Sequence, residues 1–140
     1  LFNQGFVTTE FLAAAILDME YHKLKEIGED FDAAEFEKAK MKEIGLIDEI
    51  YPRYRSTYYA HIFSGGYSAG YYVYYWAAVL DSDAFNYFKE SGDLFNPELA
   101  AKFRQHCLQE CGNDEGMVQY KKFRGQEPSN EPFLKKHGLN

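Results

Sequence analysis

Cysteine is scarce in this sequence of 140 residues: there are two, Cys107 and Cys111. Two cysteines exclude a framework of several bridges, and at i and i+4 on one helix they are poorly placed for a disulfide. Read as small, half-buried thiols, they fit a reducing, cytoplasmic compartment. Proline is also sparse, at 4 residues, and fractions of 46% hydrophobic and 26% charged residues exclude a disordered tail. Basic residues are outnumbered 15 to 22 by acidic ones, for a net charge of −7. That deficit speaks against nucleic acid and against an anionic membrane surface as partners. Long apolar runs are missing too. The most apolar stretch, Tyr67 to Leu80, is studded with hydroxyls and shorter than the roughly 20 residues of a bilayer-spanning helix. No basic-then-apolar leader pattern opens the chain. It begins at Leu1 without a methionine and reads as a piece of something longer, so this says nothing of a parent's leader.

Chemical motifs are equally few. There is no Gly-x-Ser-x-Gly elbow, no phosphate loop and no recognisable Cys/His nucleophile spacing. The histidines His22, His61, His106 and His137 never fall at the spacing of a zinc pair. His22 and Glu26, one turn apart, read as an exposed pair on an amphipathic helix, and His106 and His137 as helix C-terminal residues that suit the dipole. No metal site is predicted within these residues.

What is present is helical punctuation and aromatic side chains. The length is that of one domain, able to bury about two-thirds of its unfolded surface. Phe11, Leu12, Ala15, Ile16 and Met19 recur at helical spacing after Thr8-Thr9, predicting a helix that ends near Gly28. Asp32 and Glu35 predict a capped, highly charged second helix closed by Gly45. Residues 52–66 read as an irregular connection. A long helix is predicted from about Tyr67 to about Glu90, interrupted near residues 81–83. Asn96-Pro97-Glu98 opens another, running to about Cys111. Asn113 to Arg124 and a short helix capped by Ser129 or Asn130 complete an all-α architecture of about five helices.

Tyr, Phe and Trp make up 18% of the chain, with 12 Tyr and 12 Phe, and tyrosine concentrates between Tyr51 and Tyr75. On the predicted helix Tyr67, Tyr71 and Tyr74 fall at i, i+4 and i+7, one face, with Gly70 leaving room for a ligand chain. Tyr72, Trp76 and Val79 fall on another face, read as a core stripe. Gly65 and Gly66 make a loop that lets another backbone approach. A phenol is a neutral donor at working pH, able to hold a peptide carbonyl more strongly as it becomes an oxyanion. The plainer alternatives are core packing with hydroxyls at the rim, or a non-enzymatic module that binds a peptide or partner through the tyrosine face.

The segment His61-Ile62-Phe63, Gly65-Gly66-Tyr67, Ala69-Gly70-Tyr71-Tyr72, Tyr74 and Trp76 resembles the C-terminal active-site region of the thimet oligopeptidase and peptidyl-dipeptidase family of zinc metallopeptidases. Leu17-Asp18-Met19, Asp83-Ala84-Phe85, Phe123-Arg124-Gly125 and His137-Gly138-Leu139 fit as well, and Arg53-Tyr54-Arg55-Ser56 is most similar to the bacterial peptidyl-dipeptidase branch. The resemblance implies that residues 1–140 form one helical C-terminal segment of a zincin-like catalytic domain. In that family an H-E-x-x-H helix supplies two zinc ligands and the general base, and a later Glu the third ligand. None of these is in this chain, so zinc would be held by the parent enzyme's other residues. By the same resemblance, Tyr74 and Tyr67 would donate to the tetrahedral intermediate or adjacent peptide groups, and His61 would contact the substrate backbone. Gly65, Gly66 and Tyr71 would bind substrate, with the glycines letting the loop close. Ser64 stands where relatives often have glycine. The implied partners are an oligopeptide and the remainder of the catalytic domain. The implied reaction is removal of C-terminal dipeptides, with the segment alone inactive.

Overall fold

The computed structural model describes residues 2–139, and among these every regular element is helical. The helices are α1 (Gln4–His22), α2 (Ala33–Glu43), α3 (Ala60–Phe63), α4 (Val73–Glu90), α5 (Pro97–Phe103), α6 (Gly116–Arg124) and α7 (Glu131–Lys136). A 3-10 turn at Ser56–Tyr58 precedes α3, and a π-helical stretch, Arg104–Gln109, follows α5. The all-α expectation therefore holds. The chain divides into two compact units, with the boundary inside α4 after Tyr74. Among the described residues no helix is long and apolar enough to cross a membrane.

In the first unit α1 contributes Ala13, Ala14, Leu17 and Tyr21 to a core completed by Met41, Tyr59, Ile62 and Tyr71. The small side chains of Ala13 and Ala14 let an aromatic ring lie close to the helix, and the Tyr59 hydroxyl donates to the Ala14 carbonyl at 3.1 Å. Helix α1 begins earlier than predicted, because Gln4 Nε2 donates to Thr8 Oγ1 at 3.0 Å within its first turn. It also ends earlier, at His22. Gly28 belongs to a separate turn, accepting from the Phe31 N–H at 3.1 Å, so His22 and Glu26 do not share a helix face.

Helix α2 is as predicted. Asp32 Oδ1 accepts from the Ala34 and Glu35 N–H groups at 2.8 and 3.0 Å, and Gly45 follows with φ +76°, where a side chain would be strained. Glu37 is buried and accepts from Ser56 N–H and Ser56 Oγ, both at 2.7 Å, and from Arg55 Nε. One carboxylate thus ties the irregular connection to α2.

In the second unit Phe123 is fully buried among Tyr87, Phe103 and Tyr120, with ring centroids 5.3 to 6.1 Å away. Buried Asp83 accepts from the Tyr120 hydroxyl at 2.6 Å and from Arg124 Nε at 3.2 Å. Arg124 also reaches Glu90 at 3.0 Å and lies over the Tyr87 ring. This network leaves α4 unbroken at residues 81–83, contrary to the predicted interruption. Asn96 caps α5 through the Glu98 and Leu99 N–H groups, as its sequence requires. The predicted helix to Cys111 instead widens, with the Glu110 N–H reaching back five residues to Gln105 O at 3.0 Å. Helix α6 starts at Gly116 rather than Asn113. Ser129 Oγ accepts from Glu131 N–H at the start of α7, and His137 Nδ1 donates to Phe133 O at 2.8 Å at its end.

Two further expectations are corrected. Helix α4 begins at Val73, so Tyr67, Gly70 and Tyr71 lie in the turn before it and not on its face. Tyr72 and Trp76 are 53% and 44% exposed in this chain, so they do not form a core stripe within it.

Because Asp32 satisfies two otherwise unbonded donors, Asp32→Ala should destabilise the first unit by about 1 kcal/mol, with Asp32→Asn close to neutral. Urea unfolding checks this, and equal midpoints for the wild type and Asp32→Ala would refute it.

Candidate functional site

The singled-out residues are brought together in the first unit by the segment from Tyr59 to Tyr74. Helix α3 is one turn long and ends as Ser64 and Gly65 donate their N–H groups to the Ala60 carbonyl at 2.8 and 3.0 Å. A Cβ on Gly65 would stand 2.9 Å from both the Cα and the carbonyl oxygen of His61, too close for any side chain. The close backbone approach expected at this glycine is therefore made by the chain's own His61. Gly66 sits at φ +80°, and the Tyr67 N–H returns to His61 O at 3.1 Å, so His61 and Tyr67 are neighbours by construction.

A second tight turn follows. The Gly70 N–H bonds Tyr67 O at 2.8 Å, and the Val73 N–H bonds Gly70 O at 3.1 Å, leading into α4. Ala69 occupies the left-handed region at φ +52°. The turn is anchored from below by Asp18 of α1, whose side chain is fully buried. Asp18 Oδ1 accepts from the Ala69 N–H and Oδ2 from the Tyr71 N–H, each at 2.9 Å. His22 Nδ1 lies 2.8 Å from the same Oδ1 and from the Asp18 carbonyl oxygen. Ser68 Oγ also donates to Ile62 O, joining the turn to α3.

The result is an aromatic wall. Tyr67 and Tyr74 stack with centroids 5.3 Å apart and an interplanar angle of 22°. Tyr71 meets Tyr74 at 5.3 Å and His61 at 5.6 Å, both edge-on. Tyr54 lies 4.8 Å from His61 and stacks on Tyr59 at 5.2 Å, while Phe11 of α1 stacks on Tyr71 at 4.8 Å. The predicted grouping of Tyr67, Tyr71 and Tyr74 is real, although turns rather than a helix face create it. Within it the exposures diverge: Tyr74 is 40% exposed, His61 and Tyr67 are half-buried, and Tyr71 is only 2% exposed. Tyr71 backs the wall rather than presenting its ring.

Asp18, Tyr54 and Phe11 were not singled out as site residues by sequence reasoning. Asp18 left one usable signal. It is an acid on the stripe of α1 that also carries Ala14 and Tyr21, and a charge on a core face needs a partner. Tyr54 left only its place in the Arg53-Tyr54-Arg55-Ser56 match, and Phe11 left none, since its ring meets Tyr71 and Tyr74 far along the chain.

Hydrogen bonding with Tyr67, followed by desolvation and the neighbouring phenols, pushes Tyr74 up to about 12. Burial, and next Tyr54, raises Tyr71, with Arg53 opposing. These phenols are neutral donors across the physiological range. Among the described residues no group of three or more His, Cys, Asp or Glu side chains could hold a metal ion. His22 is turned onto Asp18, and His61 is enclosed by phenols. These residues do not fit a zinc site, and no chemical step here is assigned to one.

A phenol whose pKa rises on folding favours the folded state at pH values below its unfolded pKa, and the contribution is lost as pH rises through the folded value. The stability difference between the wild type and Tyr74→Phe should therefore be constant up to about pH 10 and move against the wild type towards pH 12. Unfolding midpoints measured across that window test this, and a pH-independent difference would refute it.

Residues 1–139 match the model of peptidase family M3. The chain is 41% identical to dipeptidyl carboxypeptidase of Salmonella typhimurium and 43% identical to that of Escherichia coli, over all of this chain and 21% of each relative. It is 46% identical to oligopeptidase A of Escherichia coli over 58% of this chain and 12% of that protein. The chain thus spans about a fifth of the length of the dipeptidyl carboxypeptidases it matches. With the match running the length of the helices that build the aromatic wall, the chain belongs to peptidase family M3.

Proposed function

We propose that this chain is the substrate-handling portion of the catalytic domain of a cytoplasmic zinc peptidyl-dipeptidase, which removes dipeptides from the C-terminus of oligopeptides. The observation that carries the reading is the pairing of Tyr67 with the accessible, neutral phenol of Tyr74. Similarity to dipeptidyl carboxypeptidases over all of this chain supports dipeptide release over internal cleavage. Family membership supports zinc in the parent enzyme, where it supplies Lewis acidity at the scissile carbonyl, and its ligands lie outside these residues.

The roles of this chain follow from donor chemistry. Tyr74 donates a hydrogen bond to the oxygen that gains charge as the carbonyl becomes tetrahedral, and Tyr67 donates to it or to the adjacent peptide group. A phenol held neutral to high pH is suited to this, since it binds the charged state more strongly than the ground state and surrenders no proton. His61 contacts the substrate backbone beside the scissile bond. Gly65 and Gly66 shape the loop that lies over the peptide, and Tyr71 supports the binding face from behind.

The remainder of the catalytic domain is the second partner. Leu12, Ile16 and Met19 form an apolar stripe on α1 opposite its buried face, so this helix is apolar on both sides. A helix of that kind is normally enclosed. The rest of the parent domain covers the stripe and brings the zinc.

In the full-length enzyme, Tyr74→Phe should lower kcat by about 10²- to 10³-fold with little change in KM. Steady-state kinetics on a short peptide check this, and a kcat within a few-fold of wild type would overturn the role of Tyr74. The 140-residue chain by itself should hydrolyse no peptide and bind no stoichiometric zinc. Hydrolysis by the purified chain that a chelator abolishes would overturn the division of labour.

A further inference from the structure

Asp18 is the one fully buried acid in the first unit whose carboxylate bonds the turn of the aromatic wall. It takes no place in the proposed chemistry. Both its oxygens are engaged by main-chain donors two residues apart, Ala69 N–H on one and Tyr71 N–H on the other. His22 Nδ1 bonds the Asp18 main-chain carbonyl and lies 2.8 Å from Oδ1. The residue between the two gripped amides is Gly70, and the first gripped residue, Ala69, is held at a positive φ that an L side chain rarely adopts. The turn is thus kept in an uncommon conformation, and the Asp18 carboxylate supplies bonds that keep it there. Tyr67 precedes the turn, Tyr71 ends it, and both rings pack on Tyr74.

We propose that Asp18 is the positioning residue of the aromatic wall: by gripping the amides of Ala69 and Tyr71, its carboxylate fixes the turn that sets Tyr67 and Tyr71 against Tyr74. The kinetic part of this inference rests on the catalytic reading of Tyr74, while its structural part does not. The chemistry requires an acid here. Asparagine has the same shape but only one acceptor oxygen, and its amide group would point an N–H at one of the two main-chain donors. Glutamate has the charge, but its longer stem moves both oxygens. Neither reproduces the double grip. A misplacement of the phenols by even an ångström would be felt in the chemical step more than in substrate binding.

The test uses the full-length enzyme with Asp18→Asn, His22→Leu, Leu17→Ala and Tyr74→Phe. Leu17 is buried beside Asp18 on α1 and supplies the control for plain loss of core packing. Folding is followed by circular dichroism, and hydrogen exchange is followed by mass spectrometry on peptides covering residues 66–72. Asp18→Asn should fold, lose about tenfold to a hundredfold in kcat at nearly unchanged KM, and exchange the turn amides about tenfold faster. Leu17→Ala should lower the melting temperature but, well below it, keep kcat and the exchange of residues 66–72. His22→Leu, which removes a neighbour of the carboxylate and leaves both amide bonds, should change kcat and turn exchange less than Asp18→Asn does. If Asp18→Asn does not fold, the wild-type enzyme decides: slow exchange of the turn amides in residues 66–72 supports the grip, and exchange as fast as that of an unstructured peptide overturns the proposal. A folded Asp18→Asn with wild-type kcat or wild-type turn exchange overturns it while Tyr74→Phe remains impaired. So does a Leu17→Ala that reproduces both effects. If Tyr74→Phe is fully active while Asp18→Asn speeds the exchange of the turn, the hold of Asp18 on the turn stands and the catalytic reading of Tyr74 falls.

Discussion

The buried carboxylate of Asp18 is the interaction on which the candidate site depends. A carboxylate removed from water is costly unless it finds donors, and in the first unit it finds two main-chain amides, with the His22 imidazole nitrogen 2.8 Å from one of its oxygens. The amides belong to a turn more than fifty residues away in sequence, so satisfying one charge closes a long loop and sets its conformation. Tyr67, Tyr71 and Tyr74 are referenced to that turn. Tyr67 stands at its entrance, Tyr71 at its end and Tyr74 in the first turn of α4. The loop is not free to slacken without leaving a charge unpaired.

The same device recurs. Glu37 on α2 accepts from the main chain and side chain of Ser56 and from Arg55, holding the irregular stretch before α3. Asp83 on α4 accepts from Tyr120 and Arg124 in the second unit. A chain carrying a net charge of −7 thus uses three of its acids as internal fixings rather than as solvated surface. The residues from Leu46 to Tyr72 hold only a 3-10 turn and the one-turn helix α3, and buried carboxylates with aromatic stacking reinforce their turn hydrogen bonds. This bears on the proposed chemistry. Oxyanion stabilisation depends on donors already in place before charge develops, and a loop fixed by buried ionic bonds meets that condition.

Much of the fold was legible in the sequence, and the reasons are local. Asp32, Asn96 and Gly125 act within one turn of themselves, so their caps and stops appear where the residues stand. The family was legible for a related reason: the motif from His61 to Trp76 is a contiguous run whose residues meet through local turns. The helix assumed from Tyr67 was not legible. A spacing of i, i+4, i+7 describes a helix face, but two successive tight turns followed by one helical turn brought the same residues together. The periodicity was right about the neighbours and wrong about the backbone. Likewise, Tyr72 and Trp76 are apolar at core spacing yet exposed, because spacing reports which side chains share a face and not what that face meets.

The sequence by itself determined the helical class, the residues that begin and end α2 and the cap that begins α5, and the clustering of phenols near two glycines. These follow from hydrogen bonds and sterics within a few residues. Only the tertiary structure decided that Tyr71 is buried while Tyr74 is open, and that Asp18 bonds the turn between Tyr67 and Tyr71. Each of these depends on segments far apart in the chain meeting at hydrogen-bonding or van der Waals distance. Local propensity carries no information about such meetings, because they are settled by burial of the α1 face and by the need of a buried charge for donors.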